Sequence, residues 1–568
     1  IRYSCCGGPI NRGVAVYKGR VYVATFDARL LAIDAASGEK VWDVDTTAPD
    51  ALSPFTVTAA PRVAAGNVYI GQSSSEFGIR GYVTAYDAET GEQVWRFFLV
   101  PGDPSKPFEH PEMELAAETW NGEWWKYGGG GTVWNSIVYD AEFHTLYLGV
   151  GNGAPWSREI RSPGGGDNLF LTAIVAVDPD SGRMKWYYQT VPGDNWDYSS
   201  AMDMALADLE VDGVQRKVLM QAPKNGFFYV IDRVDGKLLR AHPFAVVTWA
   251  THVDLATGRP VENPDAAFEE KPQWIVPGNA GAHNWQSMSY DASRGIMYIP
   301  THDLPFFYAL PESFAKTGIY KVRWGRMNLG VALGEYRNAL IAKADPKPEP
   351  QAHLKAFNPL TGEVVWSVRN KSGYNGGVLA TAGGVIFQGD GAGIITAHDT
   401  DNGETLWQYE AYASIGAPPI TYEIDGTQYV AIMVGNDRRY DGGGKLMVFS
   451  LGGATELPVP QKRDYRIPEQ PPLTASAEDL KRGDQLYHEI CANCHGGLGR
   501  SYMAADLRRM SRDRHSAFEA IVLDGKFKDR GMESFAEFLT SEDTERIRQY
   551  IIFRANTDRE AQQARANE

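Results

Sequence analysis

One pattern recurs along most of the chain: Ala-x-Asp-x-x-x-Gly-x-x-x-Trp. It reads "AIDAASGEKVW" ending at Trp42, "AYDAETGEQVW" ending at Trp95, "AVDPDSGRMKW" ending at Trp186 and "AHDTDNGETLW" ending at Trp407. "AFNPLTGEVVW", ending at Trp366, carries Asn358 in place of the Asp, and "VIDRVDGKLL" around Asp232 lacks the Trp. Each copy reads as a strand, an Asp/Gly turn and a second strand. Adjacent copies lie roughly 40 to 55 residues apart, the length of one propeller blade of four short strands. The 15 Trp, 28 Tyr and 59 Gly of the 568 residues suit an all-β body of this kind. The repeat predicts a scaffold in which the Trp packs between neighbouring blades. It carries no chemistry of its own.

The repeat fades near "VFSLGG". A Pro-rich, charged stretch follows, and the texture then turns helical. "SAEDLKRGDQLYHEI" opens with a capping signal, Ser476 with Asp479, and "TSEDTERIRQYIIFRAN" opens with another, Thr540 with Asp543. The expected division is a β-propeller over 1–455, a linker over 456–475 and a small all-α domain over 476–568. The net charge of −16 argues against nucleic acid or an anionic membrane as a partner. No apolar run is long enough to span a bilayer. The chain opens at Ile1 inside a motif and shows no signal peptide, which reads as a processed or clipped start.

Chemistry enters with the four cysteines. "CANCH" at 491–495 is a C-x-x-C-H motif, the attachment signature of a c-type haem. Cys491 and Cys494 would bond the haem covalently and His495 would bind its iron. A zinc or redox C-x-x-C is the weaker reading, because the chain offers no second ligand pair for zinc and no βαβ context. Met503, Met510, His515 and Met532 are candidates for the distal ligand. Met532 in "RGMESF" is preferred, since it follows the loop region and precedes the last helix; a Met/His pair raises the iron potential.

With these motifs in view the chain resembles the soluble quinohaemoprotein alcohol dehydrogenases. The resemblance runs through "CCGGPINRG", "SSSEFGIRGYVTAYD", "GGGGTVWNS", "GNGAPW", "PGDNWDY", "APKNGFFYV", "AHNW" and "CANCH", in that order. It implies an eight-bladed propeller of the quinoprotein type, its N-terminal part missing here, joined to a cytochrome c domain. It implies pyrroloquinoline quinone (PQQ), Ca²⁺ and haem c as cofactors. It also implies a disulfide between the adjacent Cys5 and Cys6 that stacks on one face of PQQ, with Trp134 on the other; two buried thiols are the alternative. Arg12, Thr58, Ser73, Thr132, Lys224, Asn284 and Trp285 match the family's PQQ contacts. One extra residue precedes Arg12 relative to the family's spacing. Glu76, Asn152 and Asp197 match its calcium ligands, and Asp197 its catalytic base, with His283 and His302 as local rivals. Ser199 stands where lanthanide-using relatives carry an additional Asp, which favours Ca²⁺. A further PQQ-contacting Glu and the first strands of the family lie upstream of the residues present.

The activity so implied is oxidation of alcohols to aldehydes or ketones. Electrons would pass through the haem to an external periplasmic acceptor, a cytochrome or a blue-copper protein. A hydroxylase or polymeric-alcohol dehydrogenase of the same fold is a variant of this reading. A non-catalytic propeller scaffold would lack the haem motif and the polar set. A haem carrier with a degenerate propeller would have lost Glu76, Asn152 or Asp197.

Overall fold

The computed structural model describes residues 10–49, 51, 55–322, 327–370, 372–373, 375–435, 444–461, 464–499 and 504–566. Cys5, Cys6 and Met503 lie outside the described residues. The first region is built of antiparallel meanders in which each strand pairs with the next in sequence. Six four-stranded sheets, over 15–45, 62–98, 137–189, 204–243, 289–369 and 375–410, are followed by a three-stranded sheet over 420–450. These are blades 1 to 7. The eight blades expected from the family are therefore seven among the described residues. Eight was implied by resemblance, whereas the sheets are counted from strand pairing.

The repeat explains how the blades cohere. Its Ala sits opposite its own Trp across the third and fourth strands (Ala32 and Trp42, Ala85 and Trp95, Ala176 and Trp186, Ala356 and Trp366, Ala397 and Trp407). A register shift follows each of these alanines, so a small side chain meets a large one at the bulge. The Asp makes the turn: Asp87 Oδ1 accepts the backbone N–H of Glu89 at 2.9 Å and of Thr90 at 2.8 Å. Asn358 does the same for Leu360 and Thr361 at 2.9 and 3.1 Å, because the turn needs only one acceptor oxygen.

Four of the five repeat tryptophans then reach the next blade's turn. The indole N–H of Trp42 donates to Ala88 O at 3.2 Å, that of Trp95 to Pro179 O at 2.9 Å, that of Trp186 to Arg233 O at 3.1 Å and that of Trp366 to Thr400 O at 3.0 Å. The ring lies against that turn's Gly. A Cβ on Gly91 would stand 2.8 Å from Trp42, and one on Gly182 2.6 Å from Trp95. Blade 4 lacks the Trp, and His242 takes its place: its imidazole approaches Leu360 O at 3.0 Å and its ring covers Gly362.

Beyond blade 7 the described residues run without helix or strand to Ser476, tied to both regions. Leu457 N–H donates to the Tyr409 hydroxyl at 2.9 Å, and Thr474 N–H to Gln549 Oε1 at 3.0 Å. Two helices frame the C-terminal part, Ala477–Leu486 and Ser541–Ala566. Both expected caps form: Ser476 Oγ accepts from Asp479 N–H and Thr540 Oγ1 from Asp543 N–H, each at 3.1 Å. Leu486, Ile490, Met510, Phe518, Phe535, Ile547 and Tyr550 share one core there. No helix of the described residues is long and apolar enough to cross a membrane.

Candidate active site

In an antiparallel meander the start of the first strand and the end of the second lie at the same end of the sheet. Thr58, Trp134 and Asp197 shortly precede the first strands of blades 2, 3 and 4. Ser73, Asn152 and Lys224 follow their second strands. Residues far apart in sequence therefore meet at one end of blades 2 to 4. Arg12 arrives from the approach to blade 1, its backbone N–H donating to Thr58 O at 3.2 Å.

The contacts join these groups. Thr58 and Ser73 share a hydrogen bond of 2.6 Å between hydroxyls, and Ser75 and Thr132 one of 2.8 Å. Arg12 Nη1 donates to Thr58 Oγ1, and its guanidinium lies over the Trp134 ring, 5.1 Å from the centroid. Behind Trp134 stands Gly151. A Cβ there would lie 2.7 Å from Thr132 O and 3.3 Å from the indole, so only a bare α-carbon leaves the ring its place. Lys224 Nζ donates to the Asp197 carbonyl at 2.9 Å and faces its carboxylate at 3.1 Å. Loop 281–285 abuts Lys224, with Ala282 N–H donating to Lys224 O at 2.8 Å. Trp285 is 38% exposed. The Asn284 side chain is spent on its own loop, donating to Ala280 O at 2.7 Å and accepting Trp285 N–H at 2.9 Å.

Glu76 Oε1 accepts from Asn152 Nδ2 at 2.8 Å and from the Trp156 indole at 3.2 Å. Asn152 Oδ1 faces the Ser199 hydroxyl at 3.4 Å. Burial pushes Asp197 well above the usual carboxylate range. Lys224 opposes that shift, and the Glu76 carboxylate adds to it. Asp197 also holds φ of 64°, a left-handed conformation uncommon for a non-glycine residue and typical of functional positions. Both ring nitrogens of His283 face backbone carbonyls, Ala222 O at 2.6 Å and Gln286 O at 2.5 Å, so this rival base is a brace between two loops. Burial lowers His302 to about 3.

Arg161 was not legible in the sequence. It is fully buried and donates to Pro155 O at 2.6 Å, Trp156 O at 2.8 Å and Asp194 O at 2.6 Å, and to Asn168 Oδ1. Burial lowers it to about 10, which leaves it a cation at neutral pH. It thereby ties the loop carrying Asn152 to the loop carrying Asp197. Nothing in "SREIRSPGGG" marks it, because its partners are mainly backbone carbonyls, which no pattern of residue types encodes, and one of them, Asp194 O, lies in another loop.

In the helical domain Cys491 and Cys494 are half-buried. His495 Nδ1 donates to Ala505 O at 2.8 Å, which fixes the tautomer with the proton on Nδ1 and makes Nε2 the nitrogen with a lone pair suited to a metal. Met532 and Cys491 pack against the same core, inside which Met510 is buried. His515 is bonded through Nε2 to Gln470 at 3.1 Å.

The donor sets fit the groups expected. A planar quinone bearing carboxylates needs cations, hydroxyls and a flat wall, and Arg12, Lys224, Thr58, Ser73, Thr132 and Trp134 supply them. Two carboxylates and an amide oxygen suit a hard divalent cation, which would relieve the buried charge of Asp197 beside Glu76.

Comparison with known proteins gives two family matches. The model described as "Glucose/ethanol/alcohol dehydrogenase, beta-propeller domain" matches residues 8–243 and 254–430, and "Cytochrome C oxidase, cbb3-type, subunit III" matches 478–551. The chain is 45% identical to quinohemoprotein alcohol dehydrogenase ADH IIB of Pseudomonas putida, over 98% of this chain and 81% of that protein. The solved structure of ADHIIG from Pseudomonas putida HK5 superposes with a TM-score of 0.89 at 41% identity, covering 96% of this chain and 82% of that one. The quinohemoprotein alcohol dehydrogenase of Comamonas testosteroni gives 0.87 at 39%, covering 96% and 82%.

Proposed function

The chain belongs to the quinohemoprotein alcohol dehydrogenase family, and from that premise we propose that it oxidises an alcohol at the end of blades 2 to 4, with Asp197 as general base. When bound, PQQ supplies the two-electron acceptor, Ca²⁺ the positive charge beside it, and haem c the one-electron relay. Asp197 takes the hydroxyl proton, because an incipient alkoxide donates hydride far better than an alcohol does. Glu76, Asn152 and Asp197 hold the cation; Ser199 adds no charge, which suits Ca²⁺ over a trivalent ion. Arg12 and Lys224 would supply the positive charge that holds the quinone, Thr58, Ser73, Thr132, Asn284 and Trp285 would complete the cradle, and Trp134 would be its floor.

Each alcohol oxidised releases two electrons and two protons. Cys491 and Cys494 would attach the haem and His495 and Met532 would ligate its iron, supplying a one-electron relay towards a periplasmic cytochrome or blue-copper protein. The propeller spans 1–455, the linker 456–475 and the haem domain 476–568. The propeller closes with eight blades. Apolar side chains at both edges support an additional sheet: Val16 on blade 1 is 68% exposed, and Ile420 and Leu446 on blade 7 are 57% and 63% exposed.

One observation carries the reading: the Asp197 carboxylate lies 3.1 Å from Lys224, in a loop joined to the Glu76–Asn152 pair through Ser199. The test adds PQQ and Ca²⁺ to the purified chain, then measures dye reduction over a panel of alcohols together with the visible spectrum. Alcohol-dependent dye reduction and haem bands that sharpen on adding alcohol are expected. No turnover with any alcohol at full PQQ and Ca²⁺ occupancy would sink the reading.

A further inference from the structure

We infer that Asp484 is the positioning residue that docks the haem-bearing helix onto the propeller and so sets the distance over which electrons cross. This rests on the reading that alcohol is oxidised at Asp197 and that haem c is attached at Cys491 and Cys494.

Asp484 lies on helix Ala477–Leu486, which leads directly into "CANCH", and is only 5% exposed. A carboxylate so placed needs donors. Two come from its own domain, the His488 imidazole at 3.0 Å and the Tyr550 hydroxyl. The third comes from the propeller: Glu335 N–H points at Asp484 Oδ2 from 3.4 Å. Burial works to raise the pKa of Asp484, but the bond to His488 and the two further donors outweigh it and hold it below the usual value.

Glu335 is the second residue of helix Gly334–Ile341. The first N–H groups of a helix have no partner within it, and its dipole favours an anion there. Gly334 holds φ of +62°, and a Cβ on it would stand 3.1 Å from the Asp484 carboxylate. The glycine is what lets the haem domain approach this closely.

The same short helix stands on the wall of the alcohol site. Arg337 Nε donates to Phe307 O at 3.2 Å, and its guanidinium lies 4.5 Å over the Phe306 ring. Phe306 meets Trp156 edge-on at 6.0 Å between centroids, and Trp156 donates to Glu76. Between the two regions lies a cavity of about 740 Å³, lined by Asn328, Leu329, Asp484 and His488 among others. Asn328 N–H donates to Glu76 O at 2.6 Å. One eight-residue helix therefore touches both the carboxylate of the haem helix and the residues behind the candidate metal ligand. Loss of the Asp484 contact removes the polar bond between them. Electron transfer falls steeply with distance, so a loosened dock slows haem reduction without touching alcohol chemistry.

The test uses the full-length holoenzyme as wild type, Asp484→Ala and Gly334→Ala, the second acting from the propeller side and leaving the haem domain's own residues intact. Three quantities are read: the rate of haem reduction on rapid mixing with alcohol, amide hydrogen exchange across 333–341, and the haem spectrum with its midpoint potential. Both variants should slow haem reduction by about tenfold to a hundredfold, the scale of a misplaced reacting group. Exchange at Glu335 should rise, with spectrum, potential and the alcohol KM unchanged. Asp484→Asn, which keeps an acceptor oxygen, should recover part of the rate. Haem reduction at the wild-type rate in Gly334→Ala while Glu335 exchanges freely overturns the inference, as does slowing accompanied by a shifted potential. Absence of alcohol-driven haem reduction in the wild type would strike the functional reading instead, and the exchange measurement would still read the dock.

Discussion

At the end of blades 2 to 4 the functional groups are tied to one another across large sequence separations. Thr58 bonds Ser73, Ser75 bonds Thr132, Asn152 bonds Glu76, and Lys224 faces Asp197. In the helical domain the expected haem groups are tied to their local surroundings: His495 to Ala505, and Met532 and Cys491 to a small apolar core. The first site is held by contacts between neighbouring blades. The second is held by one short motif and the helices that flank it. Damage should therefore spread in the propeller and stay local in the haem domain.

The largest effect tests that separation directly. Asp197→Asn keeps an oxygen near the metal and removes the base, so alcohol oxidation should fall by about 10² or more, the scale of a lost general base. PQQ binding and the haem spectrum should survive. Turnover retained at full PQQ and Ca²⁺ occupancy would remove Asp197 from its role.

Arg161→Leu comes next. It strands the carbonyls of Pro155, Trp156 and Asp194 in a buried site, at a cost of about 3 kcal/mol or more. Denaturant unfolding should show the propeller transition moved to lower denaturant, weaker Ca²⁺ binding, and a haem-domain transition left in place. Both transitions moving together would mean that the two regions unfold as one.

The converse variant is Met532→Ala, which should abolish any methionine-to-iron absorption band and lower the haem potential while the propeller still reduces a dye with alcohol. If Met503→Ala or Met510→Ala does this instead, the distal ligand lies elsewhere.

The smallest effect is a pH dependence confined to the haem domain. Burial lowers His515 to about 4, with Arg548 adding to the shift and Glu545 opposing it. The unfolded chain, with an ordinary histidine, binds the proton more readily than the folded one. Stability is then complete above about pH 6.5 and declines as pH falls towards 4. His515→Gln should flatten the decline in the haem-domain melting temperature between pH 7 and pH 4; an unchanged slope would exclude His515 as its source.

What the sequence disclosed follows the same division. The blade repeat was legible because Asp, Gly and Trp each act within one turn or on the next blade, so spacing preserves them. "CANCH" was legible because attachment and ligation are consecutive. The blade count was not: strands outside the repeat carry no signature, and resemblance gave eight where pairing among the described residues gives seven blades. Arg161 and Gly151 were missed because their roles exist only after distant loops meet. His242 was missed because it stands in for a Trp through shape and one ring nitrogen, which no pattern of residue types encodes.

The reach of each tryptophan into the following turn has a consequence for how the ring comes apart. The unit read along the chain ends at its Trp, but that Trp is seated in its successor, so every blade lends its key to a neighbour's lock. Such an arrangement behaves as a nearest-neighbour chain, in which a unit gains cooperativity from the one after it. Trp407, the last of the series, rests at 5.3 Å on Phe449 in the three-stranded sheet and not on an Asp/Gly turn of the repeat. Among the described residues the blade-7 sheet is thus the one not gripped through a repeat turn, whereas blades 2 to 4 are each gripped by the blade before and grip the blade after, so the candidate catalytic groups sit where both neighbours hold the sheet.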